Sequence, residues 1–289
     1  MVKQDEHAVR DSDGRTRLAK GVRGVVLGAV ALATVAALVA PGRVGLAIQK
    51  AGGARLTGLG AYRPASTHRR ALPAGGTAAI GALFTVASGG RGVGTHFCTA
   101  SVVDSPAGDL VMTAAHCVSG LAPRQFDFVP GYHNGRAPFG VWRVTRVIVN
   151  EYWSSSANPD DDVAFLIVCR PGSTTGVQAL TGAERLGTGQ PARQLVRVIG
   201  YPDNAGAPIS CLSRVHLFSP TQLEFDCGGY TSGTSGSPLL ADISPVTGLG
   251  TVVGVIGGYQ QGGTSASVSY AARLGANTAA LYKTAIAGP

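Results

Sequence analysis

VWRVTRVIV, Val141 to Val149, is the stretch from which the fold class follows. In an extended chain its period of two puts Trp142, Val144, Arg146 and Ile148 on one face and Val141, Arg143, Thr145, Val147 and Val149 on the other. β-Branched residues dominate the run and favour a pleated backbone over a helix. Similar runs flank it: AAIGALFTVA, HFCTASVV and LVMTAA before, DVAFLIV, LVRVIG and TVVGVIGG after. Turn signals separate them, and no long amphipathic helix intervenes before NTAALYKTAIAGP at the end, where a helix over 277–287 is expected with Asn277 or Thr278 as its cap. Strands at this spacing predict an all-β sandwich or barrel.

The first 74 residues differ in kind. They carry 12 Lys/Arg against 4 Asp/Glu, whereas residues 75–289 carry 12 of each, so the formal net charge of +8 belongs to the leader. A polar stretch ending in Lys20 and Arg23 precedes VVLGAVALATVAALVA, residues 25–40, which lacks any charge and is closed by Pro41, Gly42 and Arg43. Residues 1–42 therefore read as a signal peptide or membrane anchor. The rest of the chain is expected to be secreted or extracellular, tethered through residues 25–40 if the segment is not cleaved. Residues 43–74 are basic, rich in Gly and Ala and free of acidic residues, which reads as a linker or pro-segment. His68 lies there between Thr67 and Arg69 and reads as a solvated side chain. The folded domain is expected over 75–289. Being neutral, with no basic cluster interleaved with aromatics, it shows no nucleic-acid footprint.

Five cysteines in an exported chain imply disulfides with one left over. Cys98 and Cys117 flank one possible hairpin, Cys211 and Cys227 another, and Cys169 is then the odd one, expected as a buried thiol at the end of a strand. Metal ligand spacing is missing, since His116-Cys117 is merely an adjacent pair. No metal and no cofactor is expected.

Three short motifs carry chemistry. LVMTAAHCV ends a strand in His116, NPDDDVAFLIV runs three aspartates into another strand, and TSGTSGSPLL sets Ser235 among glycines. A serine hydroxyl needs a base within reach, and that base needs an acid to hold its tautomer. The order here is His, Asp, Ser. The pattern G-x-S-x-G is not met, because Ser237 stands where its last glycine would be.

TAAHC around His116, DVAFL from Asp162 and GTSGSP around Ser235 together resemble the chymotrypsin-like serine proteases, and within them the secreted bacterial branch that includes the glutamyl endopeptidases. The resemblance runs from about Ile80 to Ile286. It implies two antiparallel Greek-key β-barrels, the first over about 78–175 and the second over about 190–275, with the site between them. It also implies that Ser235 is the nucleophile, His116 the general base and then acid, and Asp162 the orienting carboxylate. The N–H groups of Gly233 and Ser235 would form the oxyanion hole. Asp162 is preferred because it directly precedes VAFL, and Asp160 and Asp161 read as solvated turn residues. HFCTASVV looks like the strand carrying the partner of the cysteine after the catalytic histidine, which supports Cys98–Cys117; Cys211–Cys227 completes the expected pairing. The implied partner is a peptide or protein substrate, taken by a monomer. His96 reads as a packing or hydrogen-bonding residue, His133 and His216 as surface residues.

Two departures shape the expected specificity and activation. Where the glutamyl endopeptidases place a histidine in the pocket strand, this chain has Ile256, and the pocket floor aligns at Gly229, so a neutral pocket is expected from Gly229, Tyr230, Ile256, Gly257 and Gly258. The animal enzymes have an aspartate before the nucleophile to receive a freed ammonium; Thr234 cannot, so a preformed loop over 233–235 is expected. The alternative function is an inactive homologue acting as an extracellular binding protein, although no triad residue is replaced.

Overall fold

The computed structural model describes residues 69–86 and 93–288. The expected export segment, most of the expected linker and His68 lie outside them. No helix among the described residues is long and apolar enough to cross a membrane.

The strands are β1 (Leu72–Pro73), β2 (Ile80–Val86), β3 (Val93–Val102), β4 (Leu110–Thr113), β5 (Phe126–Pro130), β6 (Trp142–Val149), β7 (Ala164–Cys169), β8 (Arg185–Leu186), β9 (Gln194–Gly200), β10 (Ile209–Ser219), β11 (Gln222–Asp226), β12 (Pro238–Ala241), β13 (Thr251–Ile256) and β14 (Val268–Arg273). Helices are short, α1 (Glu151–Ser156) and α2 (Gln178–Thr181), until α3 (Ala276–Ile286). Barrel one closes in the order β2-β3-β4-β7-β6-β5. Barrel two runs β10-β11-β14-β13-β12-β9 and closes through the β9–β10 pairing. All these pairs are antiparallel; closure leaves neither barrel an open edge for another chain to pair with.

Three apolar cores follow from the alternation. Leu83, Val111, Phe126, Phe128, Trp142 and Leu166 fill barrel one, and Val196, Val198, Val215, Leu223, Phe225 and Leu239 fill barrel two. The third core lies between the barrels, where Met112 and Phe165 meet Ile199, Tyr201 and Val255, and α3 adds Leu281 and Ala285. Each large side chain buried this way stabilises the fold by about 1.5–3 kcal/mol. The third core fixes the cleft, because it sets one barrel against the other.

The structure departs from the expected pattern in several places. The two faces of Val141–Val149 hold only as far as Thr145, because the register against β7 shifts between Val144 and Arg146. Such a bulge inverts the alternation. Trp142 and Val144 lie inside barrel one, whereas beyond the bulge Val147 and Val149 pack against that interior and Ile148 joins the core between the barrels. Both expected disulfides, Cys98–Cys117 and Cys211–Cys227, are present. Cys169 is exposed rather than buried. It is the last residue of β7, opposite Arg143, where the chain leaves the barrel. Helix α3 starts from Gly275 with no side-chain cap, since the Asn277 amide donates elsewhere and Thr278 is buried.

Residues 69–74, which the composition groups with the linker, are part of the packed structure. β1 pairs with β10 through Leu72–Ser210 and Pro73–Ile209. The Ala71 N–H donates to Gly228 O at 2.8 Å, and Ala71 is buried against barrel two.

Candidate active site

β4 ends at Thr113 and the chain turns through Ala114 and Ala115, both fully buried, into His116. Small side chains allow this turn to pass beneath the cleft. The disulfide from Cys117 to Cys98 ties the residue after His116 back to β3. Closing a loop of this length stabilises the fold by about 3 kcal/mol in the chain-entropy model.

Asp162 follows a single helical turn, Pro159–Asp161, that starts from Asn158, whose side chain accepts from the Asp160 N–H. Proline at the first position presets that turn. The Asp162 carboxylate is wholly buried and accepts three N–H groups. These are the His116 amide at 2.8 Å, His116 Nδ1 at 2.7 Å and the Gly258 amide at 2.7 Å. A carboxylate only accepts, so the Nδ1 proton stays toward Asp162 and Nε2 is left as the basic nitrogen. Gly257 completes this cradle by absence of a side chain: a β-carbon there would lie 2.8 Å from Asp162 Oδ2.

The neighbouring aspartates are not the solvated pair expected from the motif. Asp161 is buried and accepts from Asn158 Nδ2 at 3.0 Å and Asn277 Nδ2 at 2.9 Å, joining the turn to α3. Asp160 accepts from Gln222 Nε2 at 2.7 Å, joining it to barrel two. Three adjacent carboxylates thus hold three separate parts of the fold. For Asp161 burial requires such partners, because a buried carboxylate without them would be costly, whereas Asp160 is half-buried.

Ser235 sits in the turn before β12. Gly233 has φ +89°, and a β-carbon on it would come 2.4 Å from Asp203 N, so only glycine fits. The amides of Gly233 and Ser235 donate to no acceptor among the described residues. Ser235 Oγ likewise makes no hydrogen bond among them, and Ser235 shares with His116 the lining of one cavity of about 470 Å³. Thr234 is buried, and its hydroxyl donates to Thr231 O at 2.6 Å.

The rest of that cavity is neutral. Of the expected pocket residues, Tyr230 and Ile256 line it, with Thr231, Ser232, Thr264, Ser265 and Ser269; Gly229, Gly257 and Gly258 do not. Gly257 and Gly258 face Asp162 instead, and the Gly229 N–H is taken by Ala266 O at 2.8 Å. Burial raises the Tyr230 phenol and keeps it neutral, and its hydroxyl donates to Val198 O at 2.8 Å. Segment 260–269 was invisible as a wall, since its Gly, Gln, Ser and Thr read only as a turn. Asp226 belongs to β11, opposite Val268, outside the lining.

The other histidines have structural surroundings. His96 is buried against Phe84 and Tyr132 with Nε2 3.1 Å from Ala205 O, and burial pulls its imidazole below the ordinary value. His216 pairs across β10 and β11 with Glu224 at 3.1 Å, and His133 lies in a turn closed against Arg136.

The Trypsin family model matches residues 75–274. The chain belongs to the trypsin family. Trypsin zeta of Drosophila erecta is 38% identical to this trypsin-family chain over 77 residues, 26% of each. The chain thus spans about a quarter of the length of that curated relative. Among solved structures, protease Anisep from Arthrobacter nicotinovorans superposes with a TM-score of 0.62 at 24% identity, over 75% of this chain and 99% of that one. A Glu endopeptidase superposes with a TM-score of 0.58 at 16% identity, over 76% and 98%. At these identities the likeness is one of fold.

Proposed function

We propose that this trypsin-family chain is an exported serine endopeptidase that cuts peptide bonds through an acyl-enzyme. The observation that carries the reading is the buried Asp162 carboxylate holding His116 by both its amide and Nδ1, with His116 and Ser235 on one cavity. Ser235 Oγ attacks the scissile carbonyl while His116 Nε2 takes its proton, then returns it to the leaving amine. Asp162 keeps the tautomer and stabilises the imidazolium. The N–H groups of Gly233 and Ser235 stabilise the oxyanion. Water, activated by the same imidazole, releases the acid product.

A cavity lining without Asp, Glu, Lys or Arg supports a neutral specificity pocket with little preference for a cationic residue before the cut. Export through the 25–40 segment agrees with two disulfides, which persist in oxidising compartments. The enzyme would act as a monomer on peptide or protein substrates.

Fluorophosphonate labelling followed by peptide mapping tests the reading. Ser235 is expected to carry the label. Ser235→Ala and His116→Ala are expected to lose labelling and to lower peptide hydrolysis by about 10³-fold or more. Near-native turnover in either folded variant would refute the assignment.

A further inference from the structure

Thr99 lies on β3 of barrel one, wholly buried, and all its polar groups are engaged. Its C=O accepts from Thr113 Oγ1 at 2.8 Å, and its hydroxyl accepts from the Tyr201 N–H at 2.9 Å. The other two bonds cross to the serine loop of barrel two. The Thr99 N–H donates to Ser235 O at 2.8 Å, and Thr99 Oγ1 donates to Gly233 O at 3.0 Å.

Peptide planarity turns these bonds into orientation. In a trans peptide the C=O of one residue and the N–H of the next point in opposite directions, so fixing one fixes the other. The Gly233 N–H shares its peptide with Ser232 O, which accepts from Asp203 N at 2.9 Å. The Ser235 N–H shares its peptide with Thr234 O, which accepts from the Ser237 hydroxyl and the Ser237 N–H. Those contacts hold the preceding peptide of Gly233 and of Ser235. Thr99 holds the following peptide of both. With a peptide pinned on each side, neither residue can rotate its amide without breaking a hydrogen bond, and on the Thr99 side the bond is buried, where a group left unpaired is costly.

We propose that Thr99 is a positioning residue for the oxyanion hole, holding the Gly233 and Ser235 amides in the orientation that receives developing negative charge. The proposal rests on the reading of those amides as the oxyanion donors. Thr99 itself touches no reacting atom. Its hydroxyl is the removable part: Thr99→Val keeps the shape but leaves Gly233 O and Tyr201 N without a partner, so the 233–234 peptide loses one of its two anchors and is held only by the Thr234 N–H on Thr231 O. Thr99→Ser keeps the hydroxyl and loses only a methyl group.

The test compares wild type, Thr99→Val, Thr99→Ser and Ser235→Ala on a small activated ester and a peptide, with kcat taken per fluorophosphonate-titrated Ser235. Removing an oxyanion donor outright lowers kcat by about 10²–10³-fold, so loosening the Gly233 donor alone, with the Thr99 N–H still on Ser235 O, predicts a smaller loss of about 10-fold in Thr99→Val. KM is expected to change little. Affinity for benzeneboronic acid, whose adduct at Ser235 is tetrahedral, is expected to fall in proportion to kcat. Thr99→Ser is expected to restore both. If Thr99→Val does not fold, Thr99→Ala against Thr99→Ser makes the same comparison. Unchanged kcat in the hydroxyl-less variant, a loss confined to KM, or a Thr99→Ser defect as large as that of Thr99→Val would each overturn the positioning role. No labelling of wild-type Ser235 would instead overturn the proposed function, and the oxyanion role with it.

Discussion

Replacing Glu184 with Gln should remove a pH dependence from the stability of the fold. Glu184 lies in the connector between the barrels, fully buried, with its backbone bonded to Val102 O and Asp104 N of barrel one. One carboxyl oxygen accepts from the Gly250 N–H of barrel two at 2.5 Å; the other, Oε1, is buried without a partner. Arg185 is adjacent, but its guanidinium is bonded to Thr251 Oγ1 at 2.9 Å. Burial therefore dominates and pushes the carboxyl from its ordinary 4.5 up to about 7, against the smaller opposing effects of the Gly250 N–H and Arg185.

The native state thus holds a proton that the unfolded chain releases. The contribution to stability is fully present below about 4.5, falls as pH rises, and is lost above about 7. At about 1.4 kcal/mol per pH unit, that interval corresponds to about 3 kcal/mol. For a chain of this size it amounts to roughly 6–12 °C in Tm. Thermal unfolding of Glu184→Gln and its parent, both on Ser235→Ala to prevent self-cleavage, would be followed by circular dichroism from pH 4.5 to 8. Because other titrations are common to both proteins, the difference isolates Glu184: the Gln variant should gain on its parent as pH rises. Parallel curves, with a difference that does not change with pH, would show that Glu184 ionises in the folded protein as it does in the unfolded chain.

Asp161→Ala should destabilise by about 1–3 kcal/mol, because it removes the two hydrogen bonds that Asn158 and Asn277 donate to this buried carboxylate; a urea midpoint equal to wild type would contradict the structural role given to this carboxylate. For specificity, a peptide library varied at the residue before the cut should show no strong Arg or Lys selectivity, since no carboxylate lines the cavity. Strong cationic selectivity would mean that an acidic group outside that lining reaches the substrate.

The sequence by itself determined the features encoded in local pattern: the β class from period-two runs, and the His, Asp and Ser motifs from short strings whose turns need particular residues. Gly233 was singled out by the resemblance, and its positive φ and closeness to Asp203 N are supplied by the fold. The two disulfides were readable because each pair brackets a hairpin. What only the tertiary structure decided depends on partners remote in the chain. The VAFL that follows sets Asp162 apart, but what Asp160 and Asp161 hold appears only when Gln222 and Asn277 arrive beside them. A bulge at Thr145 reassigns the faces of β6, and the end of a barrel leaves Cys169 exposed. Thr99 is an ordinary strand residue by pattern; its contacts with Gly233 and Ser235 exist only because the two barrels pack together, and periodicity within one strand carries no information about what the other barrel presents.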